Sequence, residues 1–303
     1  MVARNGQLWI DSKIRIASDV TGGAGAVQLQ RTDYLSSVMT DQIRWSKICS
    51  EKLRPETAQP EEILWNGAST FVEETVDEAV LKPFPNSGVS NQLGASTLAV
   101  SSDGHLMVVA QNKKSNEAAN QLAPSGSGSL DWVDISRSNA RDLLKLVRFG
   151  GKRELIEECA LDGSGGAMVI DCDVMVTGFT RMVHRAGKPE FFCVGTIRAT
   201  AAEIVARPVT DGFTYGTLIG SLQPIRREKG VAAEISRICK EYLQINYQNS
   251  SGSTLPLSFV LEHQLKHLVE ACGDPQQAQV ISTFVEKVLD SRKSPTNPNR
   301  QST

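Results

Sequence analysis

Long apolar runs are missing from this sequence. No uninterrupted stretch approaches the roughly 20 residues needed to cross a bilayer, so no membrane-spanning helix is expected. The first residues, MVARNGQLWIDSKIRI, lack the apolar centre of a secretory leader. Cysteine is sparse, with 6 among 303 residues and none in C-x-x-C spacing. Neither a thiolate zinc site nor a disulfide framework is indicated, and a reducing cytoplasm is the expected compartment. No charge of one sign dominates either. A net charge of −2 and a pI near 6.1 argue against non-specific binding to a nucleic-acid backbone. What remains is ordinary: 40% hydrophobic and 22% charged residues suit a soluble globular chain of one large or two modest domains.

Against this background one stretch stands out, Arg153-Glu154-Leu155-Ile156-Glu157-Glu158-Cys159-Ala160-Leu161. Written as a helix, it places Glu154, Glu157 and Glu158 at i, i+3 and i+4, so three carboxylates share one face. Leu155, Ile156 and Cys159 fall on the other side, where they can pack. Like charges at that spacing repel by a few tenths of a kcal/mol per pair, roughly, which disfavours the helix in isolation. A hard divalent cation would convert the repulsion into ligation, since Mg²⁺ prefers carboxylate and water oxygens. A solvated acidic face is the alternative reading.

The order of residues resembles the second half of the Nudix box, G-x5-E-x7-R-E-U-x-E-E-x-G-U, with U aliphatic. Arg153, the three glutamates and both aliphatic positions match; Ala160 stands at the second glycine. Counting back from Arg153 puts Lys145 at the first glutamate and Asn139 at the first glycine, so the first half fails at its usual spacing. Upstream, Pro124-Ser125-Gly126-Ser127-Gly128-Ser129 is similar to the turn that opens the box. The box therefore reads as split by an insertion from about Leu130 to Gly151, with Phe149-Gly150-Gly151 interrupting or hinging the helix. Where the family uses its first glutamate to hold the box arginine, Arg153 needs another acid, and Asp131, Asp134 and Asp142 are the candidates. Asp142 is preferred, because it leads directly into the box.

Elsewhere the pattern gives a strand around Ile14 and Ile16, then a short helix capped by Thr32 or Asp33. Short helices are expected between Glu51 and Val80, and Pro83–Gly88 reads as a linker or entry loop. Leu93–Val100 and His105–Gln111, joined through Asp103-Gly104, have the pattern of a β-hairpin. Ser136 or Ser138 could cap a helix over Asn139–Val147. Met168–Ile170, Met175–Val183 and Glu190–Ile197 read as strands, and three periodic helices follow from Gly230 to Leu289. The predicted fold class is α/β, a Nudix-like α/β/α sandwich around a mixed sheet, with an N-terminal extension and C-terminal helices. Predicted boundaries are 1–85 for the extension, 86–225 for the Nudix-like domain, 226–290 for the helical segment and 291–303 for a disordered tail.

The resemblance implies a Mg²⁺- or Mn²⁺-dependent hydrolase of a nucleoside diphosphate joined to another group. Nucleotide sugars are one such class, by analogy with relatives that carry extensions and interrupted boxes. Glu154, Glu157 and Glu158 would hold metal, Arg153 would orient the helix, and a box glutamate or Glu190 would act as base. Gly126, Gly128 and Lys113 would meet the substrate. Glu190 has a plainer alternative as a surface carboxylate at a strand end. The partner expected is a small-molecule nucleotide, with neither a nucleic-acid duplex nor a membrane; homodimerisation is left open. A second reading is a ligand-binding or regulatory module that kept the fold and lost turnover.

Overall fold

In the computed structural model the described residues are 11–20, 26–44, 62–74, 78–111, 118–163, 168–207, 216–244 and 254–290, with short pieces at 3–4, 7–8, 46–50, 54, 56 and 247–248. Lys113 and the 291–303 tail lie outside them. The chain forms two compact units, each assembled from separated stretches. One is Met1–Gly94 with Ser129–Leu146 and Phe179–Glu190; the other is Ala95–Gly128 with Val147–Gly178 and Phe191–Thr303.

In the first unit, β1 (Ser12–Ile16) and β2 (Leu29–Asp33) pair antiparallel. Their alternation buries Ile14 and Ile16 completely. Asp33 ends β2 and caps α1 (Tyr34–Ile43), its Oδ1 accepting the Ser36 N–H at 2.7 Å. Of the short helices expected between Glu51 and Val80, the described part of that segment holds one 3₁₀ helix and is otherwise extended. Ile63–Asn66 pairs with Lys47–Cys49, Val72–Glu74 pairs with Ala79–Leu81, and a 3₁₀ turn, Gly67–Thr70, lies between. Apolar residues there are few and partly β-branched, so short ribbons suit them better than a 3.6-residue face. Nor is Pro83–Gly88 a solvated linker: Phe84 and Ser87 are buried, and the Arg181 guanidinium stands 4.2 Å over the Phe84 ring.

A four-stranded sheet and a three-stranded sheet supply the β-structure around the acidic helix. The first contains β3 (Gly94–Ser101), β6 (Gly126–Ser129), β7 (Cys172–Met182) and β8 (Lys188–Ile197), in the order β6–β3–β8–β7. The second contains β4 (Met107–Gln111), β5 (Leu122–Pro124) and β9 (Gly216–Gly220), in the order β5–β4–β9 with antiparallel pairing throughout. The hairpin expected across Asp103-Gly104 is therefore made only at its turn. Val100 bridges Leu106, and then β3 and β4 part into different sheets. The reason is Ser125, whose fully buried hydroxyl accepts the Ala99 N–H and donates to the Met107 carbonyl, both at 2.8 Å. It satisfies the two backbone groups that a continuous ladder would have joined.

Within the second unit the period of 2 assigns each face of the sheet. Glycine at 195 leaves room for Thr97 and for Leu155 of the acidic helix; Gly151 of that helix lies over Ala95, Thr97 and Val174. Leu98, Val100 and Val194 point the other way, into a core with α5 (Val231–Gln244), α6 (Phe259–Ala271) and α7 (Pro275–Asp290), which follow the short α4 (Ala201–Val205). Helix, sheet and helices thus form three layers, an α/β/α arrangement read from side-chain parity alone. Gln264 of α6 ties the lower layer down, its amide donating to the carbonyls of Ser96 at 2.8 Å and Cys193 at 2.9 Å. Met168-Val169-Ile170, expected as a strand, is irregular, with Met168 80% and Val169 69% exposed. Among the described residues no helix is long and apolar enough to cross a membrane.

Gln264→Leu removes both donations while keeping the volume apolar, so two buried carbonyls lose a partner. It should destabilise the fold by about 1–3 kcal/mol, the loss of two buried hydrogen bonds at roughly 0.5–1.5 kcal/mol each. Urea unfolding followed by circular dichroism checks this; an unchanged midpoint would show that the two bonds add nothing net.

Candidate metal centre

The acidic residues stand on α3 (Leu143–Glu158), a continuous helix that also takes in Gly150 and Gly151. The interruption expected at this glycine pair does not occur. Both glycines are buried, and a Cβ at 151 would approach Thr97 Oγ1 to 3.3 Å, so small residues here allow close helix-to-sheet packing. The helix consequently begins eight residues before Gly151, and only the part ahead of Leu143 remains as an insertion. That part holds a short helix, α2 (Asp134–Ser138), closed by Asn139 at φ +46°. The helix sought over Asn139–Val147 thus starts later than expected, and its cap is Asp142, whose Oδ1 accepts the Lys145 N–H at 2.8 Å.

At its other end α3 closes in a Schellman turn. The Leu161 N–H reaches the Ile156 carbonyl at 2.9 Å, and the Ala160 N–H reaches that of Glu157 at 3.4 Å. Ala160 takes the left-handed conformation the turn demands, φ +51°. This is the position where the box has glycine, and the backbone supplies the reason: a Cβ is strained there. The Arg207 guanidinium donates to the Ala160 carbonyl at 2.6 Å and to that of Met168 at 2.8 Å, which fastens the turn from outside.

Two further glycines bring α3 onto β6. A Cβ at Gly126 would lie 2.6 Å from Leu155 Cα, and one at Gly128 would overlap the Glu154 carboxylate. The space over both residues is filled by the helix, a role that the expectation of substrate contact did not include. The contact half-buries Glu158 and takes one of its carboxylate oxygens out of solvent. One side of its carboxylate accepts the Ser127 N–H, while Oε2 is buried with no hydrogen-bond partner among the described residues. Burial, followed by the negative charge of Glu154 and more weakly that of Glu157, pushes its pKa well above the usual carboxylate range, and the Ser127 N–H only partly opposes this. Burial likewise raises the Cys159 thiol, which donates to the Ser125 carbonyl at 3.4 Å and acts as a packing residue.

Arg153 lies along the same face, with Nη1 at 3.0 Å from Glu154 Oε1 and 3.2 Å from Glu157 Oε2. Glu154 is largely buried, whereas the Glu157 side chain is 42% exposed. The three glutamates therefore share a face, but two carboxylates lean on Arg153 while the third faces β6. Among the described residues no set of three or more His, Cys, Asp or Glu side chains is gathered closely enough to hold a metal ion. Their Cβ atoms are nonetheless helical neighbours about 5–6 Å apart, so rotation of side chains, not movement of backbone, separates this state from a ligand set.

Of the acids considered for Arg153, Asp142 is committed to the start of α3, where it also pairs with Lys145 at 3.4 Å. Asp131 pairs with Lys13, and Asp134, fully buried, accepts the Asp131 N–H at 2.9 Å. Glu190 lies in the first unit and is not a surface carboxylate. It is 2% exposed and pairs with Lys188 at 2.9 Å, in space that a side chain at Gly94 would occupy. Lys113 falls outside the described residues. His263 and His267, at helical spacing, serve packing: the first stacks on Phe259 at 4.1 Å, the second lies 5.5 Å from the Phe192 ring.

No family model matches the chain, and no curated protein does either. Among solved structures it is similar to DR0079 from Deinococcus radiodurans, at 12% identity and TM-score 0.32, covering 58% of this chain and 82% of that one. It is also similar to a MutT protein from Methanosarcina mazei Go1 (14% identity, TM-score 0.28, 59% and 93% covered). A third is a NUDIX hydrolase from Alicyclobacillus acidocaldarius (13% identity, TM-score 0.37, 62% and 95% covered). At these identities and scores the likenesses carry no weight beside the residues themselves.

Two outcomes follow from the site. Ala160→Gly should stabilise the protein by roughly 0.5–1 kcal/mol, the left-handed strain relieved less the added chain entropy of glycine; thermal unfolding measures it. Glu158 should also leave a mark on pH dependence. Its carboxyl titrates near 4.5 when unfolded and higher when folded. Between those points the folded state binds more protons, so this group's contribution falls as pH rises and is lost above both. The stability difference between Glu158→Gln and the parent, without added metal, should thus grow from pH 4.5 upward in favour of the variant.

Proposed function

We propose that the chain is a divalent-cation-dependent hydrolase of the Nudix type, acting on the diphosphate of a nucleoside diphosphate joined to another group. The observation that carries this reading is Glu158 Oε2, a buried carboxylate oxygen without a partner among the described residues, flanked by the charges of Glu154 and Glu157. Buried carboxylates are normally compensated, and a buried one raised by two like charges calls for a cation. Glu154, Glu157 and Glu158 would hold Mg²⁺ or Mn²⁺, and hard oxygen donors suit either ion. When bound, such an ion neutralises phosphate oxygens and lowers the pKa of a coordinated water.

The chain's own residues account for the rest. Arg153 restrains Glu154 and Glu157 and keeps their mutual repulsion from unwinding the last turn of α3. Gly128 leaves the Glu154 carboxylate its place beside β6. The exposed Glu157 is the better candidate for a base among the box residues, since Glu190 would first have to leave Lys188. One observation favours the second reading, a binding module without turnover: Arg153 already engages two of the three carboxylates and would compete with a cation for them.

A panel of nucleoside diphosphates linked to sugars, phosphates and other groups, assayed for nucleoside monophosphate with and without Mg²⁺ or Mn²⁺, separates the two. Metal-dependent release is expected, with Glu157→Gln and Glu158→Gln each reduced by roughly a hundredfold or more. Circular dichroism of both variants should match the parent. Full activity in both would remove the site. Tight binding of a panel member without release would favour the binding module.

A further inference from the structure

The first unit holds a second locus of uncompensated polar groups, and there every one of them is a donor. Arg15 of β1 faces Gln92 across an isolated antiparallel bridge. The Leu93 N–H reaches the Ile14 carbonyl at 2.9 Å, and the Ile16 N–H reaches that of Asn91 at 3.2 Å. Hydrogen bonds on both sides of the pair make Arg15 and Gln92 a non-hydrogen-bonded pair, the geometry that sets opposed Cβ atoms about 4.5–5.5 Å apart on one face. Arg15 Nη2 also donates to the Ser87 carbonyl at 3.1 Å, and the Ser87 hydroxyl donates to Asn91 Oδ1 at 3.3 Å. Ser87 thus links Arg15 to Asn91, while Gln92 stands opposite Arg15. Asn91 takes φ +45°, in the left-handed region, so it lies outside regular strand geometry.

Around this point Arg15 Nε, Asn91 Nδ2 and Gln92 Nε2 are all buried and have no acceptor among the described residues. Asn91 and Gln92 are each only 2% exposed. Leaving a buried donor unmade is unfavourable by one to a few kcal/mol, roughly, and three on adjoining residues are not expected of a finished core. A missing carboxylate or phosphate oxygen has the complementary chemistry, since an oxyanion accepts at every lone pair and donates nowhere. Arg15 supplies the positive charge and, being only half-buried, the side open to entry. We propose that Arg15, Asn91 and Gln92 form a binding site for an oxyanion, the carboxylate or phosphate group of a small ligand. The site is independent of the acidic helix and of any activity there.

Binding to the intact protein is the test. Calorimetry and thermal unfolding with inorganic phosphate and with acetate, against chloride at matched ionic strength, read occupancy and identify which oxyanion is preferred. A saturable rise in unfolding temperature is expected with one of them. Gln92→Leu should weaken that binding about tenfold or more, the loss of one hydrogen bond to a charged acceptor, and should not destabilise the ligand-free protein. Arg15→Met should abolish binding. If neither anion shifts the wild-type transition beyond chloride, the proposal fails whatever the variants do. It also fails if Gln92→Leu binds as tightly as the parent.

Discussion

The contact between α3 and β6 is what the functional half of this structure depends on. It exists because position 126 has no side chain to meet Leu155 and position 128 has none to meet Glu154. Ser125 prepares it by parting β3 from β4, so that the chain after Pro124 can leave one sheet and join the other. The Schellman turn at Ala160 then fixes where the helix stops. Together these place Glu158 in a dry position with Ser127 on one oxygen and nothing on the other among the described residues. Local geometry, not net charge, makes the electrostatics of the site.

What could be read in the sequence was what repeats or caps locally. The helical register of Glu154, Glu157 and Glu158 followed from spacing alone, as did the cap at Asp33 and the three helices after Gly230. The α/β class followed from those alternations taken together with the resemblance to the Nudix box. Readings that needed a distant partner did not come through. Gly150-Gly151 reads as a helix breaker until the sheet residues Thr97 and Val174 are known to lie against it. Asp103-Gly104 makes the turn it predicts, yet a hydroxyl more than 20 residues away decides that the strands separate. Glycines 126 and 128, expected at the substrate, also meet α3 residues some 30 positions further along the chain, a contact that local pattern does not show.

Arg153 illustrates how a local rule and a non-local one compete. At i, i+1 and i, i+4 it stands within reach of Glu154 and Glu157, and it takes both. A cation arriving at the same carboxylates must displace a guanidinium that is 15% exposed and already desolvated. An exposed pair of this kind would yield easily, being worth under about 1 kcal/mol, but burial strengthens the hold. Glu158 escapes this competition, since its neighbours are a backbone N–H and two like charges.

Glu190 and Glu158, each with carboxylate oxygen withdrawn from solvent, can therefore be told apart by what accompanies them. Glu190 is buried with Lys188 at 2.9 Å, in room made by Gly94. The pair is neutral as a unit, and replacing either member would strand the other, which is how a structural ion pair behaves. Glu158 is half-buried, its Oε2 is buried with no hydrogen-bond partner among the described residues, and the nearest charges raise its pKa. Packing alone has no use for that arrangement, because glutamine would keep the Ser127 bond and remove the repulsion. The uncompensated carboxylate is the one that chemistry explains, and so Glu158, more than Glu190, is the residue on which a hydrolase reading should be judged.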